Sequence, residues 1–220
     1  MNLETLNQQV IACRKCPRLV AWREKMALEK RRAYMDQVYW GKPVPGFGDP
    51  QARIFVVGLA PGAHGSNRTG RQFTGDASGG FFYPALFRAG LANQPTASGL
   101  DDGLMLTDVY TAPVCRCAPP DNKPNPQEMA NCQPFLETEL GLIHPRVIVA
   151  LGRIAYESVL RIHSVRNSGW KFAHGAEFRL PNDAWLLCSY HPSRQNTQTG
   201  RLTVEMYDAI WARAKELRER

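Results

Sequence analysis

No apolar run in this chain approaches the roughly 18 residues needed to cross a bilayer; the longest have the length of strands. The N-terminus, Met1-Asn-Leu-Glu-Thr-Leu6, is polar and acidic, without the basic and then apolar regions of a signal peptide. A cytoplasmic location with no membrane contact is expected. Internal repeats and low-complexity tracts are also absent, which argues against solenoids and disordered tails. Acids are scarce in one place that matters. The stretch "GLAPGAHGSNRTGRQFTGDASGG", residues 58–80, holds seven glycines, two arginines, one histidine, no lysine and a single carboxylate, Asp76. Lacking lysine, it is not the phosphate-cradling Gly-x4-Gly-Lys-Ser/Thr loop. No Gly-x-Gly-x-x-Gly opens the turn either, so the dinucleotide fingerprint also fails.

What is present fits one well-buried domain. The chain has 220 residues, 44% of them hydrophobic and 10% aromatic. Its net charge of +7, from 27 Lys+Arg against 20 Asp+Glu, favours a polyanionic partner without proving one. Arginines recur at 14–32, 68–71, 146–166 and 194–220, so the charge is spread through the chain and is not a detachable tail.

Short apolar runs predict buried strands at 53–59, 104–110, 146–151 and 185–190. Helical patterns are read at 2–12, from Pro17 to about Tyr39, and at 80–90, 126–142, 152–163 and 201–219, while the Pro- and Gly-rich 41–50 is a connection. Strands alternating with helices imply a layered α/β fold with a mainly parallel sheet. Ligands of such sheets gather beyond the carboxyl ends of the strands. The glycine-rich loop follows one strand, and Cys188-Ser-Tyr-His-Pro-Ser193 follows another.

Six cysteines occur, at 13, 16, 115, 117, 132 and 188. In a reducing compartment they suit a metal site better than disulfides. Cys13-x2-Cys16 supplies one half of a site, and Cys117 with Cys132 the other; Cys115 and Cys188 read as small core residues. Four thiolates suit zinc or a cubane iron–sulfur cluster, and spacing does not separate the two. In the glycine-rich loop, Asp76 reads either as a functional carboxylate or as a cap before Ala-Ser-Gly. Phe73 is either a stacking face or core. His191 is followed by Pro192, which fixes the turn, and by polar residues including Arg194 and Arg201 that are available to phosphates.

Together these residues resemble the uracil-DNA glycosylase superfamily, and most closely its iron–sulfur family 5, the B-type enzymes. The resemblance runs over nearly the whole chain. It rests on Gly58-Leu-Ala-Pro-Gly62, Gly65-Ser-Asn-Arg-Thr-Gly-Arg71, Phe73-Thr-Gly-Asp76, the cysteines at 13, 16, 117 and 132, and His191-Pro-Ser193. It implies a three-layer α/β/α domain over residues 1–220 with a central four-stranded parallel sheet. It also implies a 4Fe-4S cluster on Cys13, Cys16, Cys117 and Cys132 that ties in the N-terminal helices. The implied activity is hydrolysis of the bond between a base and deoxyribose in double-stranded DNA.

The resemblance further implies that Phe73 stacks on the base, that Gly58, Ala60, Gly62 and His64 line its pocket, and that His191 holds uracil's O2. Leu59 and Ala60 stand where relatives carry a water-activating residue. Asp76 is therefore the expected substitute, with Asn122 as a second polar contributor. Arg68, Arg71, Ser193, Arg194, Gln195 and Asn196 are expected to meet DNA, with Arg194 or Gln195 bracing the gap left by the extruded nucleotide. The second strand ends Thr111-Ala-Pro113, where other families offer an Asn to the base edge. Weak discrimination is therefore expected, with action on uracil and also on hypoxanthine and xanthine. With no lysine at 58–80 or 186–202, a strand-nicking Schiff base is not expected. A monomer is expected. Rival readings are a non-catalytic, metal-stapled module that recognises DNA damage, and an enzyme acting on free nucleotides.

Overall fold

In a computed structural model, which describes residues 1–166 and 169–220, six strands form one sheet. They are β1 (Phe47–Gly48), β2 (Ile54–Gly58), β3 (Val109–Pro113), β4 (Val147–Leu151), β5 (Glu177–Arg179) and β6 (Trp185–Ser189), in the order β1-β3-β2-β4-β6-β5. The four central strands are parallel, with Ile54 of β2 opposite Val109 on one side and Val147 on the other. Two short antiparallel strands, β1 and β5, extend the expected four to six. Neither shows the continuous apolar run by which the central strands were read, because each is only partly buried at an edge.

The helices are α1 (Leu3–Ala12), α2 (Pro17–Glu29), α3 (Ser66–Thr69), α4 (Gly79–Arg88), α5 (Pro126–Ile143), α6 (Arg153–Ile162), α7 (Arg194–Gln198) and α8 (Val204–Leu217). Alternation along the strands separates two cores. Ile54, Val56, Val147, Val149 and Leu187 face α4 and α8, where Phe82 and Trp211 fill the layer. Phe55, Val57, Ile148, Ala150 and Leu186 face α5 and α6, with Leu136, Tyr156 and Val159. Burial on both faces explains why the strands read as continuous apolar runs. Helix α1 packs on α5, and α2 on α3. Among the described residues no helix is long and apolar enough to cross a membrane.

Two boundaries differ from the sequence reading. The second strand begins at Val109, not 104. Leu104 and Leu106 are buried, but Leu106 makes only an isolated bridge to Ala92, and Asp108 turns the chain at a φ of 60°. The Asp108 carboxylate then anchors Arg53 at 2.8 Å. The second helix stops at Glu29, not near Tyr39, because Lys30 takes a φ of 55°. A short 3-10 turn over Arg32–Tyr34 follows.

Between Cys115 and Cys117, Arg116 is fully buried and pairs with the equally buried Glu139 of α5, which also accepts from the Tyr110 hydroxyl at 3.3 Å. The pair fixes the segment after β3 against α5. Removing one member leaves an unmatched buried charge. Glu139→Ala is expected to lower stability by about 3–5 kcal/mol, measured by urea denaturation; a loss below about 1 kcal/mol would show that this pair does not anchor the segment.

Candidate active site

A cavity of about 710 Å³ opens beyond the carboxyl end of β2. Its walls include Ala60, Gly62, His64, Gln72, Phe73, Asp76, Asn122, His191, Arg194 and Gln195. The glycine-rich loop, the turn after Cys117 and the segment after β6 therefore meet at one place, as the sequence reading expected.

Glycine makes this meeting possible. A Cβ at Gly65 would overlap the Asp76 carboxylate, and one at Gly62 would stand 3.1 Å from Asp76 Oδ2. At Gly58 a Cβ would come within 3.0 Å of Phe73 Cζ, and at Gly79 it would collide with the Phe73 carbonyl. Phe73 itself adopts a φ of 54°, a conformation L side chains avoid and packing must hold. Its ring stacks on Phe82 with centroids 4.3 Å apart and faces His191 at 6.2 Å. Phe73 is thus core on one side and cavity wall on the other.

Asp76 likewise serves two roles. Its Oδ1 accepts from the Gly79 N–H at 3.0 Å, which caps the first turn of α4. Burial raises its pKa above the ordinary value, against the opposing pull of the Gly79 and Ser78 N–H groups and of Arg68. The result is a poorly solvated carboxylate aimed at the cavity. Burial also pushes the pKa of His191 down to about 4, so the imidazole is neutral near pH 7. Asn196 donates from Nδ2 to the His191 carbonyl at 2.8 Å and braces the loop. His64 donates to or accepts from the Tyr39 hydroxyl at 3.1 Å. The N–H groups of Gly62, Ala63 and His64 make no hydrogen bond to another described residue.

Several expected DNA contacts point elsewhere. Arg71 is buried and bonds to Asp102, Nη1 to Oδ1 at 2.9 Å, so it does not face DNA. Arg68 is mostly buried, donates to the His64 and Gly75 carbonyls at 2.8 and 3.0 Å, and lies 3.9 Å from the Tyr34 ring centroid. Both hold the glycine-rich loop in shape. Asn196 braces His191 and Ser193 caps α7, accepting from the Asn196 N–H at 3.4 Å. Arg194 and Gln195 are exposed at the cavity mouth. Among the wall residues that the sequence reading did not assign to the site are Trp22 from α2 and Gln72. Gln72 stands beside Phe73 in the same motif, but nothing in a sequence tells a buried amide from an exposed one.

The N-terminal cysteines meet the later ones. Cys16 and Cys117 pack with Leu19, and Asn131 donates to Cys16 Sγ at 3.4 Å, next to Cys132 in sequence. Arg23, almost wholly buried, donates to Cys117 Sγ at 2.9 Å and to the Cys13 carbonyl at 3.3 Å. Its Nε has no partner among the described residues. Cys115 lies close to Cys132, and both Cys115 and Cys188 belong to the core of the α5 and α6 layer. No three ligating side chains among the described residues converge tightly enough for a single ion.

The model of the Uracil DNA glycosylase superfamily matches residues 45–215. This chain belongs to that superfamily. It is 56% identical over 218 residues to a protein of Thermus thermophilus named Type-5 uracil-DNA glycosylase, covering 99% of each chain. A Type-5 uracil-DNA glycosylase of Pyrobaculum aerophilum is 44% identical over 206 residues, covering 94% of this chain and 89% of its own. A Type-4 uracil-DNA glycosylase of the same organism is 31% identical over 197 residues, covering 88% and 84%. The superfamily match includes the strand ends, the glycine-rich loop and the histidine loop that form the cavity.

The low pKa of His191 has a consequence for stability. Between about 4 and its ordinary 6.5 the unfolded chain binds a proton that the folded chain refuses, so stability falls as pH drops through this window. Water in the cavity reduces the effect without changing its sign. His191→Asn is expected to flatten the loss of unfolding free energy between pH 7 and 5, measured by urea titration at both values; parallel losses in the two proteins would refute a half-buried imidazole held neutral.

Proposed function

We propose that this chain is a monofunctional DNA glycosylase. It hydrolyses the bond between deoxyribose and uracil in double-stranded DNA, leaves an abasic site for base excision repair, and does the same for hypoxanthine and xanthine. The observation that carries the reading is the placement of one desolvated carboxylate, Asp76, in the same cavity as the Phe73 ring and a neutral His191. The chain works as a single domain and a monomer, its N-terminal helices tied in through the cysteines.

A stacked base cannot reach such a cavity, so the nucleotide must be extruded at a cost of a few kcal/mol. Arg194 and Gln195 at the mouth fill the gap, and Ser193 supports them. In the cavity the base lies against Phe73, with Ala60, Gly62 and His64 forming the wall, while Gly58, expected there from the sequence, sits behind Phe73 and Gln72. As the bond between C1′ and the base nitrogen breaks, the electron pair leaves with the base. Negative charge on the departing base, on O2 in uracil, is met by the neutral imidazole N–H of His191 and the free N–H groups of 62–64. The cation growing on the sugar is met by Asp76, which also holds the water whose oxygen bonds C1′ and takes the proton that water loses, while the departed base anion gains one from solvent; Asn122 orients that water. One acid suffices, because a well-held anionic leaving group needs no proton in the bond-breaking step.

The cysteines suit a 4Fe-4S cluster on Cys13, Cys16, Cys117 and Cys132. Such a cluster with four thiolates is anionic, and the buried Arg23 beside them offers both charge and an unused Nε–H. Each cysteine of a cubane binds its own iron, so the thiols need not converge as they must around zinc. When bound, the cluster supplies a covalent staple between α2 and the segment after β3.

Purified protein is expected to release uracil, hypoxanthine and xanthine from duplex oligonucleotides, read by abasic-site cleavage. Failure to release uracil would leave only a damage-binding module. In single-turnover assays Asp76→Asn is expected to slow uracil release by about 10²-fold or more, and Gly65→Ala to slow it by crowding the same carboxylate. An unchanged rate in Asp76→Asn would remove its role. The protein is expected to be brown and to bleach in Cys117→Ser; colourless protein with stoichiometric zinc would replace the cluster.

A further inference from the structure

We infer that Gln72 is a specificity-determining residue, whose amide nitrogen recognises the carbonyl that deamination creates on the base. The inference rests on the glycosylase reading and deepens it. Gln72 is 2% exposed, yet it lines the cavity. Its carbonyl is held by the Tyr83 hydroxyl at 2.7 Å and by Thr74 Oγ1 at 3.2 Å, which fixes the backbone from which the side chain projects. The side-chain Oε1 accepts from Thr111 Oγ1, on the second central strand, at 2.8 Å. That bond occupies the amide oxygen. The Nε2 group makes no hydrogen bond to any described residue, and it stands 2.5 Å from where a Gly58 Cβ would be. The Phe73 ring reaches within 3.0 Å of the same point. A donor without a protein partner, on a side chain that lines the cavity, thus lies next to the ring against which the base would lie.

Once a base fills the cavity and excludes water, an amide N–H there is costly to leave unpaired, and an acceptor on the base avoids that cost. Deamination turns an exocyclic amine into a carbonyl, converting cytosine to uracil at C4 and adenine to hypoxanthine at C6. A fixed donor donates to that carbonyl. It faces the N–H of the parent amine donor to donor, which leaves both unpaired. Gln72 therefore performs the rejection of cytosine and adenine without contacting the bond that breaks. Xanthine's parent, guanine, already carries a carbonyl at C6, so this donor does not separate that pair. On this reading an amide for the base edge comes from the loop and not from the strand end.

The test compares uracil with 2-pyrimidinone, which has hydrogen in place of the C4 carbonyl, in otherwise identical duplexes under single-turnover conditions. Comparing the ratio of the two rates between proteins cancels the intrinsic difference between the leaving groups. Wild type is expected to favour uracil, and Gln72→Met to narrow that preference by about tenfold. Gln72→Glu keeps an acceptor for Thr111 but presents no donor, and is expected to narrow it at least as far; it supplies the same ratio if Gln72→Met does not fold. Equal slowing of both substrates in the variants, or no slowing, would overturn the role of Gln72 while leaving the glycosylase reading intact. Release of neither base by wild type would overturn both.

Discussion

Four positions without a side chain, Gly58, Gly62, Gly65 and Gly79, let a phenylalanine ring and a carboxylate lie against the backbone after β2. At each, an added Cβ would press on Phe73 or Asp76. Close approach of main chain to functional side chain is the constraint on which the rest depends. It lets the loop turn back over the strand end, forces Phe73 to a positive φ, and narrows the space in which Asp76 can sit. The two buried arginines of this loop, Arg68 and Arg71, serve the same end, since their bonds hold the loop from behind.

Desolvation then sets the chemistry. The same burial moves the two titrating groups in opposite directions, Asp76 upward and His191 downward, because it disfavours whichever form is charged. A carboxylate short of water interacts strongly with a cation formed beside it. An imidazole that stays neutral donates to an anion without carrying a counter-charge of its own. A cavity with one acid and one neutral histidine thus suits a reaction in which positive charge develops on one fragment and negative charge on the other.

The cysteine region stands behind this cavity and not within it. Helix α2 begins beside Cys16, carries Arg23 to the Cys117 thiol, and offers Trp22 to the cavity wall. Arg116 and Glu139 lock the neighbouring segment to α5. The turn bearing Asn122 follows directly, so anything that orders the thiols also orders that turn. This links the N-terminal helices to a site formed by segments far along the chain.

Much of this was legible in sequence. Continuous apolar runs marked β2, β4 and β6, because strands covered on both faces need no polar alternation, whereas the run at 104–110 reached only the first two residues of β3. Glycine density marked the loop, and the isolation of Asp76 marked the acid. The Cys13-x2-Cys16 spacing set two thiols side by side in sequence, but only packing brings Cys16 to Cys117. Partner choice was not legible. Arg71 and Arg194 are the same residue type in similar polar contexts, yet one pairs with Asp102, 31 positions away, and the other faces solvent. Asn196 turned inward to His191, and Gln72 proved to be a buried amide. Each of these depends on which distant group lies within about 3 Å, and that distance is set by packing. The sequence determined the layers and the residue types that could do the chemistry. Tertiary structure decided which of them are desolvated and which face the cavity, because burial and hydrogen-bond partnership are properties of neighbours in space.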